Sequence, residues 1–127
     1  MDEDDPKPPG SVIWLDLTSN DAPILRDFYA SVVGWRAQSV DMGEYSDFMM
    51  IRPDGTPAAG ICHARGANAG MPAMWLPYVV VEDVERSSLA CVRRGGTIIT
   101  ESLYSGEVRY CVIRDPAGAF LALIEAK

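Results

Sequence analysis

The sequence predicts an α+β protein made of two tandem βαβββ modules. The first indication is an order of elements that occurs twice along the chain. The second is a constant spacing between matching landmarks. Three pairs of such landmarks lie 62 positions apart: Trp14 and Leu76, Asp21 and Asp83, and Gly34 and Gly96. Two such modules are expected to form a curved mixed sheet, with the helices on its convex face and a concave ligand cleft.

The first module begins with the strand-like segment VIWLDLTS and continues into a helix. Asn20 or Asp21 can cap this helix, Pro23 fits its first turn, and Gly34 fits its C-terminal end. Between them, apolar residues recur at helical spacing. The three further strands of this module are expected at 36–41, 47–52 and 58–64.

The second module repeats this order from WLPYVVV onward. Asp83 is the expected helix cap, basic residues at the other end suit the helix dipole, and the pair Gly95-Gly96 ends the helix. A turn of sequence DPAG introduces the last strand, as RPDGTP does in the first module. The three further strands are expected at 97–101, 108–113 and 119–125.

The chain of 127 residues suits a single domain, which we place at 11–127. Residues 1–10 are acidic and proline-rich, so we expect a disordered tail there. Module one spans about 11–66 and module two about 73–127, with a Gly- and Ala-rich linker at about 64–73.

Charge and composition exclude several classes of partner. The formal net charge is −7 and no basic patch is present, so we expect neither nucleic acid nor a membrane surface as a partner. The longest apolar stretch contains two prolines and is too short to cross a bilayer. The first residues lack the pattern of a secretory signal. We therefore expect a cytoplasmic protein.

The three cysteines are Cys62, Cys91 and Cys111, and no CxxC motif is present. Their odd number, wide spacing and apolar surroundings indicate buried, reduced thiols. Cys62 precedes His63, and neighbours on a strand point to opposite faces, so these two are a poor nucleophile and base pair.

Alternation along the first strand predicts two faces. Ile13, Leu15 and Leu17 would face the helix. The other set, Val12, Trp14, Asp16 and Thr18, would face the concave side. There Asp16 is either a hydrogen-bonded residue near the strand end or part of a pocket.

The chain resembles the vicinal oxygen chelate superfamily, which includes glyoxalase I, extradiol dioxygenases, fosfomycin-inactivating enzymes and bleomycin-resistance proteins. The similarity is greatest to bacterial glyoxalase-like proteins of unassigned activity. It covers nearly everything after residue 10, and the pairing of FY…GW with DPxGxxxxLxE is its most specific part. The segments that carry it are 14–35, 55–61, 75–85, 93–98 and 115–125.

The resemblance implies four metal-ligand positions, one on the first and one on the last strand of each module. They fall on Trp14, Leu76, Ala122, and Gly60 or Ile61. None of these side chains can bind a divalent cation, so we expect no metal and no other cofactor. The only histidine, His63, rules out a two-histidine site within one chain.

Glu125 ends the last strand three positions after Ala122, and therefore on the opposite face. We expect it to end in solvent or to pair with a basic residue, and not to bind a metal.

Aromatic and apolar residues on the concave face indicate a platform for an apolar or aromatic molecule. The alternative is that they fill the hollow as a second core. Arg109 and Tyr110 are candidates to orient a polar group, although the sequence does not fix which way they face. No catalytic residue is assigned. The predicted ligand-binding residues are Trp14, Asp16, Cys62, Leu76, Tyr78, Arg109, Tyr110, Phe120 and Ala122.

Three functions follow from these observations. The leading hypothesis is a metal-independent protein of the glyoxalase and bleomycin-resistance type that binds a small apolar or aromatic molecule. The resemblance also implies a homodimer. The first alternative is a lyase, isomerase or dioxygenase that uses a displaced metal site or acid–base chemistry by Asp16, His63 or Tyr78. The second is an interaction module with a filled cleft. The sequence leaves the ligand unidentified and the question of catalysis open.

Overall fold

The computed structural model describes residues 7–66, 69–105 and 107–125, without the side chains of Ser102 and Ser105. Within these residues lie eight strands and two helices. Module one contains β1 (Val12–Ser19), α1 (Ala22–Val33), β2 (Arg36–Asp41), β3 (Ser46–Ile51) and β4 (Pro57–His63). Module two contains β5 (Trp75–Val81), α2 (Val84–Arg93), β6 (Thr97–Ser105), β7 (Val108–Arg114) and β8 (Phe120–Glu125). The predicted α+β class and the two βαβββ modules are confirmed.

The chain divides into two compact units. One comprises Trp14–Trp75, and the other comprises the described residues up to Ile13 together with those from Leu76 onward. Each unit contains one helix and the four strands of one module, apart from the first two residues of β1 and the first residue of β5.

In module one the strands are arranged β2-β3-β4-β1. The outer strand β1 runs parallel to β4, and the other neighbours are antiparallel. Helix α1 packs against β2, β3 and β4 and buries one face of the sheet. The fully or nearly buried side chains of this layer are Leu17, Ala22, Phe48, Met50 and Ile61. Of the predicted helix-facing set of β1, Leu17 lies in this layer, whereas Ile13 is exposed.

An aromatic cluster extends this core. The indole of Trp75 lies edge-on to the rings of Tyr29 and Trp35, with centroids 5.0 and 6.0 Å away. Its Nε1–H donates to the Tyr29 hydroxyl at 3.1 Å, which satisfies both polar atoms. Trp75 therefore belongs to the structural core of module one.

In module two the strands are arranged β5-β8-β7-β6. Strand β5 is parallel to β8, and the remaining pairs are antiparallel. Helix α2 covers one face, where Val84, Cys111 and Leu123 are buried. This is the same arrangement as in module one, with a smaller buried cluster.

The strand register repeats along with the elements. Asp16 pairs with Gly60 in module one, and Tyr78 pairs with Ala122 in module two. Both members of the second pair lie 62 positions after those of the first. The pairs Arg36 with Ile51 and Ile98 with Ile113 show the same offset. The spacing seen in the sequence therefore reflects structural duplication.

The helix ends follow the sequence signals with one exception. The Asp83 side chain accepts a hydrogen bond from the Arg86 N–H, as an N-cap does. Asp21 occupies the corresponding position before α1 but makes no side-chain cap bond. Gly34 ends α1 at φ +89°, in the left-handed region that glycine adopts without strain.

Several boundaries differ from the sequence expectation. Gly10, placed in the disordered tail, donates its N–H to the Val80 carbonyl at 2.7 Å. Positions 1–6 of that tail and linker positions 67 and 68 lie outside the described residues. Among the cysteines, which are all free, only Cys111 is fully buried.

No helix in the described parts of the chain has the length and apolar character needed to cross a bilayer.

Gly96 lies where a side chain would collide with its neighbours. A Cβ there would sit 2.5 Å from the Cys91 sulfur and 3.0 Å from the Arg114 carbonyl oxygen, and the latter is backbone. We predict that Gly96→Ala lowers the free energy of unfolding by about 1–3 kcal/mol, as overpacking does.

Gly70→Ala is the matched control, because a Cβ there meets nothing within 4 Å. It should change stability by less than about 0.5 kcal/mol. Urea denaturation of both variants measures the difference, and equal midpoints would contradict the packing described around Gly96.

Candidate functional site

The face of the module-one sheet opposite α1 carries the candidate site. Parallel pairing of β1 with β4 places Asp16 beside Gly60 and Thr18 beside Cys62. The intervening pair, Leu17 and Ile61, points to the helix side. Strand alternation therefore puts Asp16, Gly60 and Cys62 on the face that α1 leaves uncovered.

This face contains a cavity of about 180 Å³. Its lining is mainly apolar and includes a methionine from β3 and another that follows β2. The nine lining residues are Trp14, Asp16, Val40, Met42, Asp47, Phe48, Met49, Gly60 and Cys62. Three of the predicted ligand-binding residues, Trp14, Asp16 and Cys62, thus lie together.

Trp14 and Asp16 form a hydrogen-bonded pair at the cavity. The indole Nε1–H donates to Asp16 Oδ1 at 2.6 Å, and both side chains are half-buried. Gly60 makes room for this pair, because a Cβ on Gly60 would collide with the Asp16 carboxylate and lie 3.5 Å from Trp14 Nε1. The absent side chain at Gly60 is therefore part of the geometry that orients the indole.

Cys62 is a poor nucleophile in this setting. Burial raises the pKa of its thiol, and the negative charges of Asp16 and Asp47 raise that pKa further. The protonated form is neither a good nucleophile nor a metal ligand. Cys62 therefore contributes an uncharged surface to the cavity.

Asp47 connects the cavity with His63. Its Oδ1 accepts the His63 backbone N–H at 2.9 Å and lies 3.2 Å from His63 Nδ1. The imidazole itself packs against the rings of Tyr45 and Phe48. His63 is thus a neighbour of the site and is not among the residues that line the cavity.

Module two carries the matching face. Tyr78 pairs with Ala122 across β5 and β8, and Tyr110 pairs with Ile124 across β7 and β8. The Tyr78 and Tyr110 ring centroids are 6.1 Å apart, so these rings share one side of the sheet. The remaining predicted residues of this face have the same strand parity: Leu76 and Ala122 are buried, and Phe120 is half-buried.

Arg109 lies on the other side, at the start of α2. Its Nη2 donates to Glu125 Oε2 at 2.6 Å, and it approaches Asp83 and Glu85 within 4 Å. Since Arg109 precedes Tyr110 on β7, the two point to opposite faces. The sequence leaves the facing of Arg109 open, and the structure places its side chain on the face opposite Tyr110.

Glu125 supports helix α2. Its Oε2 accepts the Val84 N–H at 2.9 Å, which satisfies a backbone donor in the first turn. The hydrogen bond from Arg109, followed by that from Val84, holds the pKa of Glu125 below its usual value. The expectation of a basic partner is confirmed, and Glu125 is a structural carboxylate.

The residues present do not fit the metal site that the resemblance implies. Trp14 donates its only polar hydrogen to Asp16, and Ile61, Leu76 and Ala122 are buried and apolar. Across the described ranges, no three His, Cys, Asp or Glu side chains are grouped as a metal site requires. Metal independence stays a prediction.

The sequence missed part of the cavity wall. Val40, Met42, Asp47, Phe48 and Met49 come from β2, β3 and the turn after β2. Alternation along β3 was the available signal, because Asp47 and Met49 have the opposite parity to the buried Phe48 and Met50.

The chain is similar to a protein named as a glyoxylase and to one named for anthracycline biosynthesis. It is 31% identical over 120 residues to CFP32, a proposed glyoxylase of Mycobacterium bovis. That alignment covers 92% of this chain and 46% of CFP32. It is 28% identical over 128 residues to the anthracycline biosynthesis protein DnrV of Streptomyces peucetius, and that alignment covers 91% of this chain and 46% of DnrV. The chain therefore spans about half the length of these relatives. No protein-family profile matches it.

Solved structures share the fold. Methylmalonyl-CoA epimerase of Streptomyces coelicolor aligns with a TM-score of 0.59 at 13% identity, covering 93% of this chain and 98% of the epimerase. A glyoxalase/bleomycin resistance protein/dioxygenase superfamily member of Vibrio splendidus aligns with a TM-score of 0.59 at 12% identity. The alignment covers 92% of this chain and 100% of the Vibrio protein. At these identities the match establishes the fold alone.

The Glu125 bonds generate a prediction for stability. Glu125→Gln weakens both bonds, so we expect a loss of about 1 kcal/mol at pH 7, as for a helix cap. The folded-state pKa of Glu125 lies below the ordinary 4.5, so the charged form stabilises the fold above that value. The difference between the two proteins should therefore shrink as pH falls through the lowered pKa.

Glu82→Gln serves as the control, since Glu82 forms only an exposed pair with Arg86 at 3.6 Å. It should stay within about 0.5 kcal/mol of the parent protein. Denaturation curves between pH 3 and pH 7 measure both. A Glu125→Gln deficit that is the same at every pH would contradict the assigned role.

Proposed function

The chain belongs to the vicinal oxygen chelate superfamily, and from this premise we propose that its module-one cavity binds an apolar or aromatic group of a small molecule without a metal ion. The observation that supports this most directly is the cavity beside Trp14, where the resemblance implies a metal ligand in the enzymes of the superfamily. An indole with its N–H already bonded leaves a flat apolar surface toward the cavity.

The cavity size limits what it can hold. Its volume of about 180 Å³ is below that of a pocket for a whole drug-sized molecule. It is close to the roughly 150 Å³ that accommodates a single benzene ring. The cavity therefore suits one ring, or an aliphatic group of similar size, while the rest of the ligand lies outside it.

The relatives agree with a small-molecule role. One is named for anthracycline biosynthesis and another for glyoxylase activity, and both names concern small molecules. Because the chain matches about half of each relative, their full activities are not transferred to it. What we carry over is the class of ligand, a small organic molecule.

An enzymatic role is the second candidate. It is favoured by the fold shared with an epimerase and by two carboxylates, Asp16 and Asp47, at the cavity, either of which is suited to acid–base chemistry. The protonated Cys62 and the apolar side chains at the implied metal positions favour binding instead.

Ligand binding should depend on Trp14. A ligand of the native state at one hundred times its Kd raises stability by about 2.7 kcal/mol, which corresponds to several degrees in Tm. We predict that a thermal-shift screen of single-ring aromatic and alicyclic compounds finds such ligands, and that Trp14→Ala abolishes the shift. Tyr104→Ala is the control, because Tyr104 is an exposed aromatic residue of module two, and it should keep the full shift. Ligands that stabilise Trp14→Ala as much as the parent protein would place the binding site elsewhere.

Metal content separates binding from metal-dependent catalysis. We predict less than about 0.1 equivalent of any divalent metal in protein purified without chelator, because a metal site needs several carboxylate, imidazole or thiolate donors in one place. Inductively coupled plasma mass spectrometry gives this ratio directly. One equivalent of a divalent ion, removed by dialysis against EDTA with a loss of Tm, would overturn the metal-free proposal.

A further inference from the structure

The polar side chains of the module-one cavity are unusual for an apolar pocket. Apart from the Cys62 thiol and the Trp14 indole, they are two carboxylates, those of Asp16 and Asp47. Among the described residues that line the cavity there is no Lys, Arg or His. A ligand that enters it therefore meets a lining with negative and no positive side chains.

The Trp14 ring adds to this negative character. The face of an indole attracts cations through its quadrupole, and tryptophan does so best among the aromatic residues. Here the indole N–H donates to the Asp16 carboxylate at 2.6 Å, and this hydrogen bond to an anion makes the ring more electron-rich. A cation in the cavity would meet an electron-rich ring and a carboxylate together.

The basic neighbour of Asp47 is the imidazole of His63, which is charged only when it is protonated. Asp47 Oδ1 contacts the backbone N–H and the imidazole of His63. By contrast, Glu125 of module two has the guanidinium of Arg109 at 2.6 Å. Burial raises the pKa of the Cys62 thiol most, and the two nearby carboxylates raise that pKa further.

We propose that the cavity selects ligands in which the ring-sized apolar group carries a cationic nitrogen, of the alkylammonium class. This inference rests on the proposed function, because it specifies the chemistry of a ligand for the same cavity. The apolar part of the ligand fills the space between Trp14, Met42 and Met49. The cationic nitrogen lies within reach of the Asp16 and Asp47 carboxylates, where charge-assisted hydrogen bonds are stronger than neutral ones.

The test uses three probes with the same apolar body, a phenyl ring on four methylene groups: 4-phenylbutylammonium, 4-phenylbutanol and 5-phenylpentanoate. Isothermal titration calorimetry at pH 7.5 gives the Kd of each for the intact chain. We expect the cation to bind at least tenfold more tightly than the alcohol, and the carboxylate to bind more weakly than the alcohol.

Asp16→Asn and Asp47→Asn test whether the two carboxylates cause the preference for a cation. Asparagine keeps an oxygen that can accept the Trp14 or the His63 N–H, so each variant removes charge with little change of shape. We expect each variant to lower the cation-to-alcohol preference to about threefold or less. Asp27→Asn on α1 is the matched control, because Asp27 is exposed, pairs with its half-buried neighbour Arg26 and does not line the cavity, so it should keep the full preference.

Each outcome decides a separate point. Equal binding of all three probes would overturn the cation selectivity and leave the proposed binding function standing. A cation preference that survives both asparagine variants would also overturn the inference, because it would originate outside the two carboxylates. No binding of any probe to the parent protein would contradict the binding function itself, and the inference with it.

Discussion

The parallel pairing of the first and the last strand in each module is the constraint on which the site depends. In module one it aligns Asp16 with Gly60, and in module two it aligns Tyr78 with Ala122. Because side chains alternate along a strand, this register decides which residues α1 or α2 buries and which remain on the uncovered face. A slip of one residue would exchange Leu17 and Ile61 of the core for Asp16 and Gly60 of the cavity.

The same register places Trp14 on the side of the module-one sheet that α1 leaves uncovered. In this chain the indole is held by Asp16, and Gly60 on the neighbouring strand leaves room for that pair. Glu125, on the opposite face of β8, is bonded to Arg109 and to the Val84 N–H, and it stabilises the start of α2.

Much of this arrangement could be predicted from the sequence, because turn residues, helix caps and alternation are local signals. Five strands of the six that follow the helices begin and end within one residue of their predicted bounds. Strand β6 was predicted to end at 101 and extends to Ser105. Its pairing with β7 shifts register after Ile98 and again after Thr100, and such bulges interrupt the alternation on which the prediction depended.

The rest of the site could not be predicted, because it depends on how separate segments align. Asp47 and Met49 reach the cavity because β3 lies beside β4 in a register that the sequence does not display. The facing of Arg109 was open for the same reason, and the structure places it with Glu125 on the helix side. Local signals determine the elements, whereas long-range pairing determines the composition of the cavity.

Ligand binding at the open face of module one is tested most directly by a ¹H–¹⁵N NMR titration with a ligand that stabilises the protein. We expect the Trp14 indole N–H resonance and the amide resonances of Gly60 and Cys62 to move together and to saturate at one Kd, while those of Tyr29 and Ala30 in α1 stay in place. Resonances that move only in α1, or only around Arg109 and Glu125, would show that the ligand binds elsewhere and that the module-one cavity is not the binding site.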